Sequence, residues 1–475
     1  MLLIRPGGIV PTNNIQALIL AAGKSSRFNT TASKLTFTLC GQEMIVYPVQ
    51  ALDDLAIPAT IILGYQKEQI RTILDKYLFK NISYSEQTEQ RGTGHAVLST
   101  QKLWHADDIL ILNGDMPLIT KEIIQELIKT HKESNATITF VTAHNPEATL
   151  GGYGRVIKEN GTVAIIEARD FTQDPAEHCC INAGIYLIKR SFLEQELPSL
   201  EFNRSSGELY ITDLIKQACN KKQIVETVNA DFNLIRGVNT LKELWIAEHI
   251  KRSEIINHWM INGVRFMAPQ TVAIDTQVQL ASNTVIGSGV QLRGTTRIES
   301  GCTIDAFCVI TNSTIGAEST VLSHSVIADS ELGAHVQAGP FAHIHRQSIL
   351  KDTSVIGNFV EVSKTVIGSQ TKAKHLAYLG QSIIGESVTI GAGTVTCNYN
   401  SVSKNTTHIE DGVFVGSNST LIAPVALSKN CFVAAGSTIT QDVPEKALAI
   451  ARNRQENKLD YAAKLKDRYK KQDNS

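Results

Sequence analysis

The sequence predicts two folds in one chain: an α/β domain built on a mainly parallel sheet, followed by a parallel β-helix of hexapeptide repeats. Two observations carry this. In the second half, aliphatic residues recur every six positions: Ile286, Leu292, Ile298, Ile304 and Ile310, and later Val415, Leu421, Leu427, Val433 and Ile439. A helix repeats apolar residues at three and four and a half-buried strand at two. A period of six therefore means one short strand and one turn per repeat. In the first half, short apolar runs alternate with helical stretches, the pattern of strands joined by crossover helices.

The repeat spans residues 283–440. Three such strands close one triangular coil, each aliphatic side chain points to the axis, and neighbouring coils bury one another. Glycines follow the aliphatics, as in Ile286-Gly287, Ile315-Gly316, Leu332-Gly333, Ile367-Gly368 and Ile384-Gly385, and let the chain bend without a Cβ clash. Residues 369–382 and 396–408 fall out of phase. Both are expected to be loops leaving the coil, and loops on rigid scaffolds tend to carry function.

In chain order, residues 1–15 read as an N-terminal extension and 16–240 as the α/β domain. Residues 241–262 read as a connecting helix, since 241–258 have helical apolar spacing without Pro or Gly. Residues 263–455 form the solenoid and 456–475 a charged, solvated tail. Strands are expected at 17–21, 60–63, 109–112 and 137–142, and helices at 44–54, 66–77 and 120–132. The ligand of such a sheet sits beyond the carboxyl ends of its strands.

At 475 residues the chain is too long for one core. Its 43% hydrophobic and 19% charged residues are ordinary for a globular protein, and a net charge of −1 gives no global attraction to nucleic acid or membrane. The eight cysteines form no CxxC pair, so they read as reduced packing residues with no disulfide framework. The apolar run Leu2-Leu3-Ile4 is too short for a signal peptide, and no stretch reaches transmembrane length. A cytoplasmic protein is expected.

Gly23-Lys24-Ser25 is not a P-loop, because that motif needs Gly where Leu18 stands. Still, an apolar strand, a glycine turn with free N–H groups and cations at Lys24, Arg27 and Lys34 suit a polyphosphate. An ordinary αβ turn with solvated cations is the competing reading of that stretch alone. Asp115 ends a second apolar strand and, facing a cationic loop, is placed to hold Mg²⁺.

Together LAAGKSSR, GTGHA, NGD, GYGR, INAG, LYITD and GVN resemble the sugar-1-phosphate nucleotidylyltransferases. The repeats resemble those of the hexapeptide acyltransferases, which implies a left-handed coil. Joined in one chain, from about residue 16 to 455, they resemble the bacterial bifunctional enzymes that N-acetylate glucosamine-1-phosphate and then form UDP-N-acetylglucosamine. That resemblance implies a Rossmann-like nucleotidylyltransferase domain and a product used for peptidoglycan and lipopolysaccharide. It implies UTP, glucosamine-1-phosphate and N-acetylglucosamine-1-phosphate as substrates, acetyl-CoA as co-substrate, Mg²⁺ as cofactor and a homotrimer.

The same resemblance implies residue roles. Leu20, Ala21, Ala22 and Gly23, with Gln87, Gly92, Thr93, Asn113 and Gly114, hold the uridine nucleotide. Lys34 contacts phosphate, Arg27 stabilises the leaving pyrophosphate, and Asp115 and Asn239 hold Mg²⁺. Gly154, Glu167 and Asn182 hold the sugar. In the solenoid His375 is the general base, with Glu361 the candidate to orient it. Tyr378, Asn398 and Tyr399 contact the sugar, and Ala392, Ser417, Ala435 and Arg452, again with Asn398 and Tyr399, contact acetyl-CoA. A thiolate nucleophile at Cys397 is disfavoured, since no base is paired with it and direct transfer needs none.

The chain also departs from the family pattern. His345 falls where the family has a phosphate-binding Arg, and Ser363 where it has Lys, with Arg346 and Lys364 next door. Thr389 stands at a usual Asn, and Ser33 at a usual Pro. Neighbours on a strand face opposite sides, so Arg346 and Lys364 replace those cations only if a bulge or corner shifts the register. Two other functions fit part of the pattern: a uridylyltransferase whose β-helix serves only trimerisation or regulation, and a nucleotidylyltransferase for another sugar or base.

Overall fold

The computed structural model describes residues 14–24, 26–28, 32–144, 152–159, 162–168, 170–172, 178–204 and 206–472. The N-terminal extension, apart from its last residues, lies outside them. Two compact units divide the chain at Ile255/Ile256.

The first unit is built on a sheet in the order Val225–Ala230, Ile138–His144, Cys180–Lys189, Asp108–Asn113, Ile15–Ala21, Ala59–Leu63, Ile82–Glu86. All neighbours pair parallel except Cys180–Lys189, which runs antiparallel to both of its neighbours. The central strands are apolar on both faces, as strands covered by helices on both sides require. Ala17, Leu18, Ile19, Ile109, Leu110, Ile111 and Leu112 are all fully buried, in two cores on either side of the sheet. The helices Val46–Asp53, Lys67–Lys76 and Lys121–Glu133 fall within a residue or two of the expected places. A hairpin of Arg155–Glu159 and Thr162–Ile166 hangs off the antiparallel strand at the Ile181–Arg155 pair.

The helix Leu241–Ile261 runs through the boundary between the units. Within the first unit, its Leu244, Ala247, Ile250 and Ile255 pack with Phe28, Leu39, Met44 and Tyr47.

The second unit is the solenoid. Each strand pairs in parallel with the strand one coil later, so three stacked faces form. One face contains Val285–Ile286, Thr303–Ile304 and Thr320–Val321; the next Gln291–Arg293, Val309–Thr311, Val326–Ala328 and His343–His345; the third Arg297–Ile298, Thr314–Ile315 and Glu331–Leu332. Every aliphatic of the two six-residue series is at most 4% exposed. Buried hydroxyls add a second internal ladder that the aliphatic period does not reveal. Ser319 Oγ, for example, donates to the Gly333 carbonyl at 2.9 Å and accepts from the Val336 N–H at 3.0 Å. Cys302 and Cys308 take the same inner position, each with its thiol on a backbone carbonyl, and burial pushes the Cys308 thiol up to about 11. All eight cysteines are free.

The structure corrects one expectation about the breaks in phase. Residues 372–380 are no loop. Lys372–Gly380 is a nine-residue strand, paired residue by residue with another long strand, Val355–Ser363. The two stay paired around a corner, where Phe359 and Leu376 take positive φ, and join two faces into one sheet. The second break does leave the coil, between Val395–Cys397 and Thr407–Ile409. The charged tail carries an exposed helix, Tyr461–Gln472.

Candidate functional site

In the first unit, four residues far apart in sequence meet beyond the carboxyl ends of the central strands. Lys34 pairs with the Asp115 carboxylate. Its ammonium also donates to Asn239 Oδ1 at 2.7 Å, and Arg27 donates to the same oxygen at 2.8 Å. Asp115 follows the strand Asp108–Asn113 directly, and Val238 N–H donates to its backbone carbonyl at 2.9 Å, which brings Asn239 alongside. The donors facing the Lys34 ammonium are hard oxygens, one of them anionic. A cation thus already lies between them, and their chemistry fits a hard divalent metal ion. Ser33, where the family usually has Pro, uses the N–H that Pro lacks, donating to Gln66 Oε1 at 2.5 Å, and caps the turn Lys34–Thr36.

The residues expected to hold the nucleotide are similarly built. Gln87 is buried, and its side-chain amide donates to the Gly92 carbonyl at 3.3 Å. Gly92 has φ +101°, and a Cβ there would lie 2.6 Å from the Leu209 carbonyl oxygen, so only glycine fits. Thr93 accepts from the Ile211 N–H, which ties this loop to residues 209–213. Gly114 N–H donates to the Leu20 carbonyl at 3.0 Å, and the Asn113 amide lies against Gly184. Ala21 and Ala22 are buried beside them, and Gly23 has open space above it.

Around the expected sugar position, Asn182 N–H donates to the Gly154 carbonyl at 2.9 Å, and a Cβ at Gly154 would lie 3.8 Å from Glu167 Oε2. Gly154, Glu167 and Asn182 therefore share one wall. Burial pushes the Glu167 carboxyl up, against the hydrogen bond from Thr212 at 2.8 Å. A carboxyl raised by folding is charged at a cost in the folded state; that cost is absent below the unfolded pKa and grows as pH rises through the folded one. Glu167→Gln is therefore expected to raise the melting temperature more at pH 8 than at pH 5, while it weakens sugar binding about tenfold or more. Equal melting shifts at both pH values would refute it.

In the second unit the corner crossed by the long strands is a continuous row. His375 lies opposite Asn358 one coil earlier, and its Nδ1 meets Asn358 Oδ1 at 2.7 Å. Gly393 N–H donates to the Leu376 carbonyl at 2.5 Å, Asn418 N–H to Ala392 at 2.7 Å, and Gly436 N–H to Ser417 at 2.8 Å. Arg452 lies against Gly436 on the last coil, beside Ala435. His375, Ala392, Ser417, Ala435 and Arg452 thus form a line along the solenoid, with His375 at one end.

The face next to that corner carries the residues expected to hold the sugar. His343 lies opposite Glu361, and Glu361 opposite Tyr378; in the next row stand His345, Ser363 and Gly380. The Tyr378 phenol lies over Gly380. Burial and the neighbouring His345 push His343 below the usual histidine range. At the far corner, Arg346 and Lys364 have φ of +56° and +52° and are exposed, so the chain does turn at both, past the row of His345 and Ser363. The emergent loop follows at the end of this face: Asn398 is buried, Tyr399 is 62% exposed, and the Tyr399 hydroxyl donates to the Ser401 carbonyl at 2.8 Å.

One assignment changes. Glu361 does not orient His375; its Oε1 is 3.1 Å from His345 Nε2, and Asn358 holds His375 instead. The register places Asn358, three residues before Glu361, opposite the base. Thr389 pairs with Lys372 and Phe414 on the face across the corner, apart from the His345–Tyr378 face. Asn358 is the residue that reading the sequence missed; its place seventeen residues before His375, one coil, was the available signal.

Comparison with known proteins matches residues 17–189 to the MobA-like NTP transferase domain and residues 406–441 to the hexapeptide repeat of succinyl-transferase. Similar curated proteins span the whole arrangement. The bifunctional protein GlmU of Exiguobacterium sibiricum is 39% identical over 451 residues, 94% of this chain and 99% of that protein. That of Koribacter versatilis is 38% identical, covering 95% and 97%. That of a Nostoc species is 38% identical, covering 94% and 98%. The chain belongs to the bifunctional GlmU family. Membership of the GlmU family accounts for two constellations in one chain, one in each unit. Within that family, His345 and Ser363 mark the place where this chain departs from the motif.

Proposed function

We infer that this chain makes UDP-N-acetylglucosamine by two transfers: an acetyl group from acetyl-CoA to the amine of glucosamine-1-phosphate, then a uridylyl group from UTP to N-acetylglucosamine-1-phosphate, releasing pyrophosphate. The observation that carries it is the presence in one chain of the Arg27–Lys34–Asp115–Asn239 cluster and of the corner row that starts at His375. We assign uridylyl transfer to residues 16–240 and acetyl transfer to 263–455.

For uridylyl transfer no covalent nucleophile is needed. The sugar phosphate attacks the α-phosphorus in line, Lys34 and Arg27 meet the charge that develops, and Gly154, Glu167 and Asn182 hold the sugar. Magnesium, when held by Asp115 and Asn239, supplies further charge neutralisation. For acetyl transfer, Asn358 Oδ1 accepts from the His375 Nδ1–H, which leaves the Nε2 lone pair free for the amine proton. The acyl donor lies along Ala392, Ser417, Ala435 and Arg452.

A second reading, uridylyl transfer alone, is favoured by the lack of a strand-borne cation at His345 and Ser363. Incubation with acetyl-CoA, glucosamine-1-phosphate and UTP, with each product identified separately, decides between them. The expected result is acetylated sugar phosphate and UDP-N-acetylglucosamine. Uridylylation only of supplied N-acetylglucosamine-1-phosphate would favour the second reading.

We also propose a cytoplasmic homotrimer. No described helix is long and apolar enough to cross a membrane. Along the corner before His375, Phe307, His324, Phe341 and Phe359 form a ladder of rings with centroids 5.0–5.3 Å apart, and the three phenylalanines are 47–58% exposed. Such an exposed apolar strip fits a covered interface. Light scattering is expected to give three times the 51.9 kDa chain mass, and replacing Phe341 and Phe359 by Lys to give monomer. A wild-type monomer at assay concentration refutes this.

A further inference from the structure

We propose that His343, His345 and Glu361 form a site for one divalent transition-metal ion of the zinc class on the outer face of the solenoid. Strand alternation places His343 and His345 on one face, because Ile344 between them points inward and is fully buried. Their rings stack with centroids 4.1 Å apart and planes 6° apart. Glu361 stands opposite His343 on the next coil, with Oε1 3.1 Å from His345 Nε2. One donor atom from each of the three lies within 4.8 Å of the others. A tetrahedral site with bonds of about 2.0–2.1 Å needs donors about 3.3 Å apart, a closure within reach of rotamer adjustment on a solvent-accessible face.

Two imidazoles and one carboxylate are a borderline-soft set that suits zinc, cobalt or nickel better than magnesium, and three protein ligands leave a coordination position open. The other use of this pair, two imidazolium ions gripping an anion, sets like charges 4.1 Å apart with the Arg346 charge also felt at His343. A metal ion supplies the positive charge with both rings neutral.

The identity of the open-position ligand rests on the acetyl-transfer reading above. On that reading it is a phosphate oxygen of the sugar substrate. The ion lies on the Tyr378 face beside the His375 corner, where Ser363 brings no charge. It then does the work of the Arg and Lys that this chain lacks.

The test uses tag-free, full-length protein stripped of metal and kept in millimolar Mg²⁺ to occupy the Asp115 site. Titration with Zn²⁺, and with Co²⁺ followed by visible absorption, is expected to show one saturable site per chain with imidazole ligation. His343→Asn, His345→Asn and Glu361→Gln should each lose that site with unchanged circular dichroism and melting. No saturable site, or one that survives all three substitutions, overturns the proposal. For the phosphate role, chelation is expected to raise the KM for glucosamine-1-phosphate by about tenfold to hundredfold, the scale of a lost charge-assisted contact. The double variant His345→Arg, Ser363→Lys should be insensitive to the chelator. A bound metal with a chelator-independent KM in the wild type overturns the phosphate role and leaves the metal site. Absence of acetyl transfer under every condition overturns the functional reading, while the titration still decides the site.

Discussion

Replacing Asp115 by Ala is expected to abolish UDP-sugar formation, with kcat down by at least about 10²–10³-fold, the scale for removing one preorganised charge-stabilising group. Asp115 is the anionic member of its cluster, and it also positions Lys34, which it shares with Asn239. Its loss removes the anionic ligand proposed for magnesium and leaves Lys34 with one partner fewer. Asn239→Ala should cost less, since a neutral amide is removed, but it also releases Arg27. Raising Mg²⁺ should not restore Asp115→Ala. Thiol release from acetyl-CoA in the presence of glucosamine-1-phosphate should continue, because the residues proposed for acetyl transfer all lie in the second unit. Near wild-type UDP-sugar formation at saturating Mg²⁺ would sink the assignment.

Replacing His375 by Ala is expected to lower kcat for acetyl transfer by about 10²–10⁴-fold, the usual worth of a positioned general base, with KM for acetyl-CoA little changed. The proposed acyl-donor residues Ala392, Ser417 and Arg452 lie further along the row and remain. Asn358→Ala leaves the base in place but removes the acceptor that fixes its tautomer. A smaller loss, about tenfold, is expected, and Asn358→Asp should recover most of it, because a carboxylate accepts the same Nδ1–H. Product formation from supplied N-acetylglucosamine-1-phosphate and UTP should be unchanged in all three. A His375→Ala enzyme with normal acetyl transfer would mean that the base lies elsewhere.

How much of this was legible differs between the two units. The inward aliphatics of the solenoid could be counted off, because a period of six has one geometric meaning and the coil repeats it. The apolar runs of the first unit marked their own strands, since a sheet covered on both faces leaves no alternation to hide them. The first out-of-phase segment was misread as a loop because five-residue steps on either side, from Val362 to Ile367 and from Leu379 to Ile384, shift the phase, although Ala373 and Leu379 within it are buried. Glu361 was misassigned for a related reason. Its partner is set by interstrand register, which pairs Asn358 with His375 and turns Glu361 to the histidines of the preceding coil.

By itself the sequence determined which residues face the axis, where glycine turns break the strands, and which strands carry no Lys or Arg. These are local properties, set by periodicity, backbone sterics and side-chain charge. Only the tertiary structure decided that Lys34, Asp115 and Asn239 meet, that Asn358 rather than Glu361 holds the base, and that two histidines and a glutamate converge on one face. Those facts depend on which strands lie side by side and in what register, and that is set by packing between residues distant in the chain.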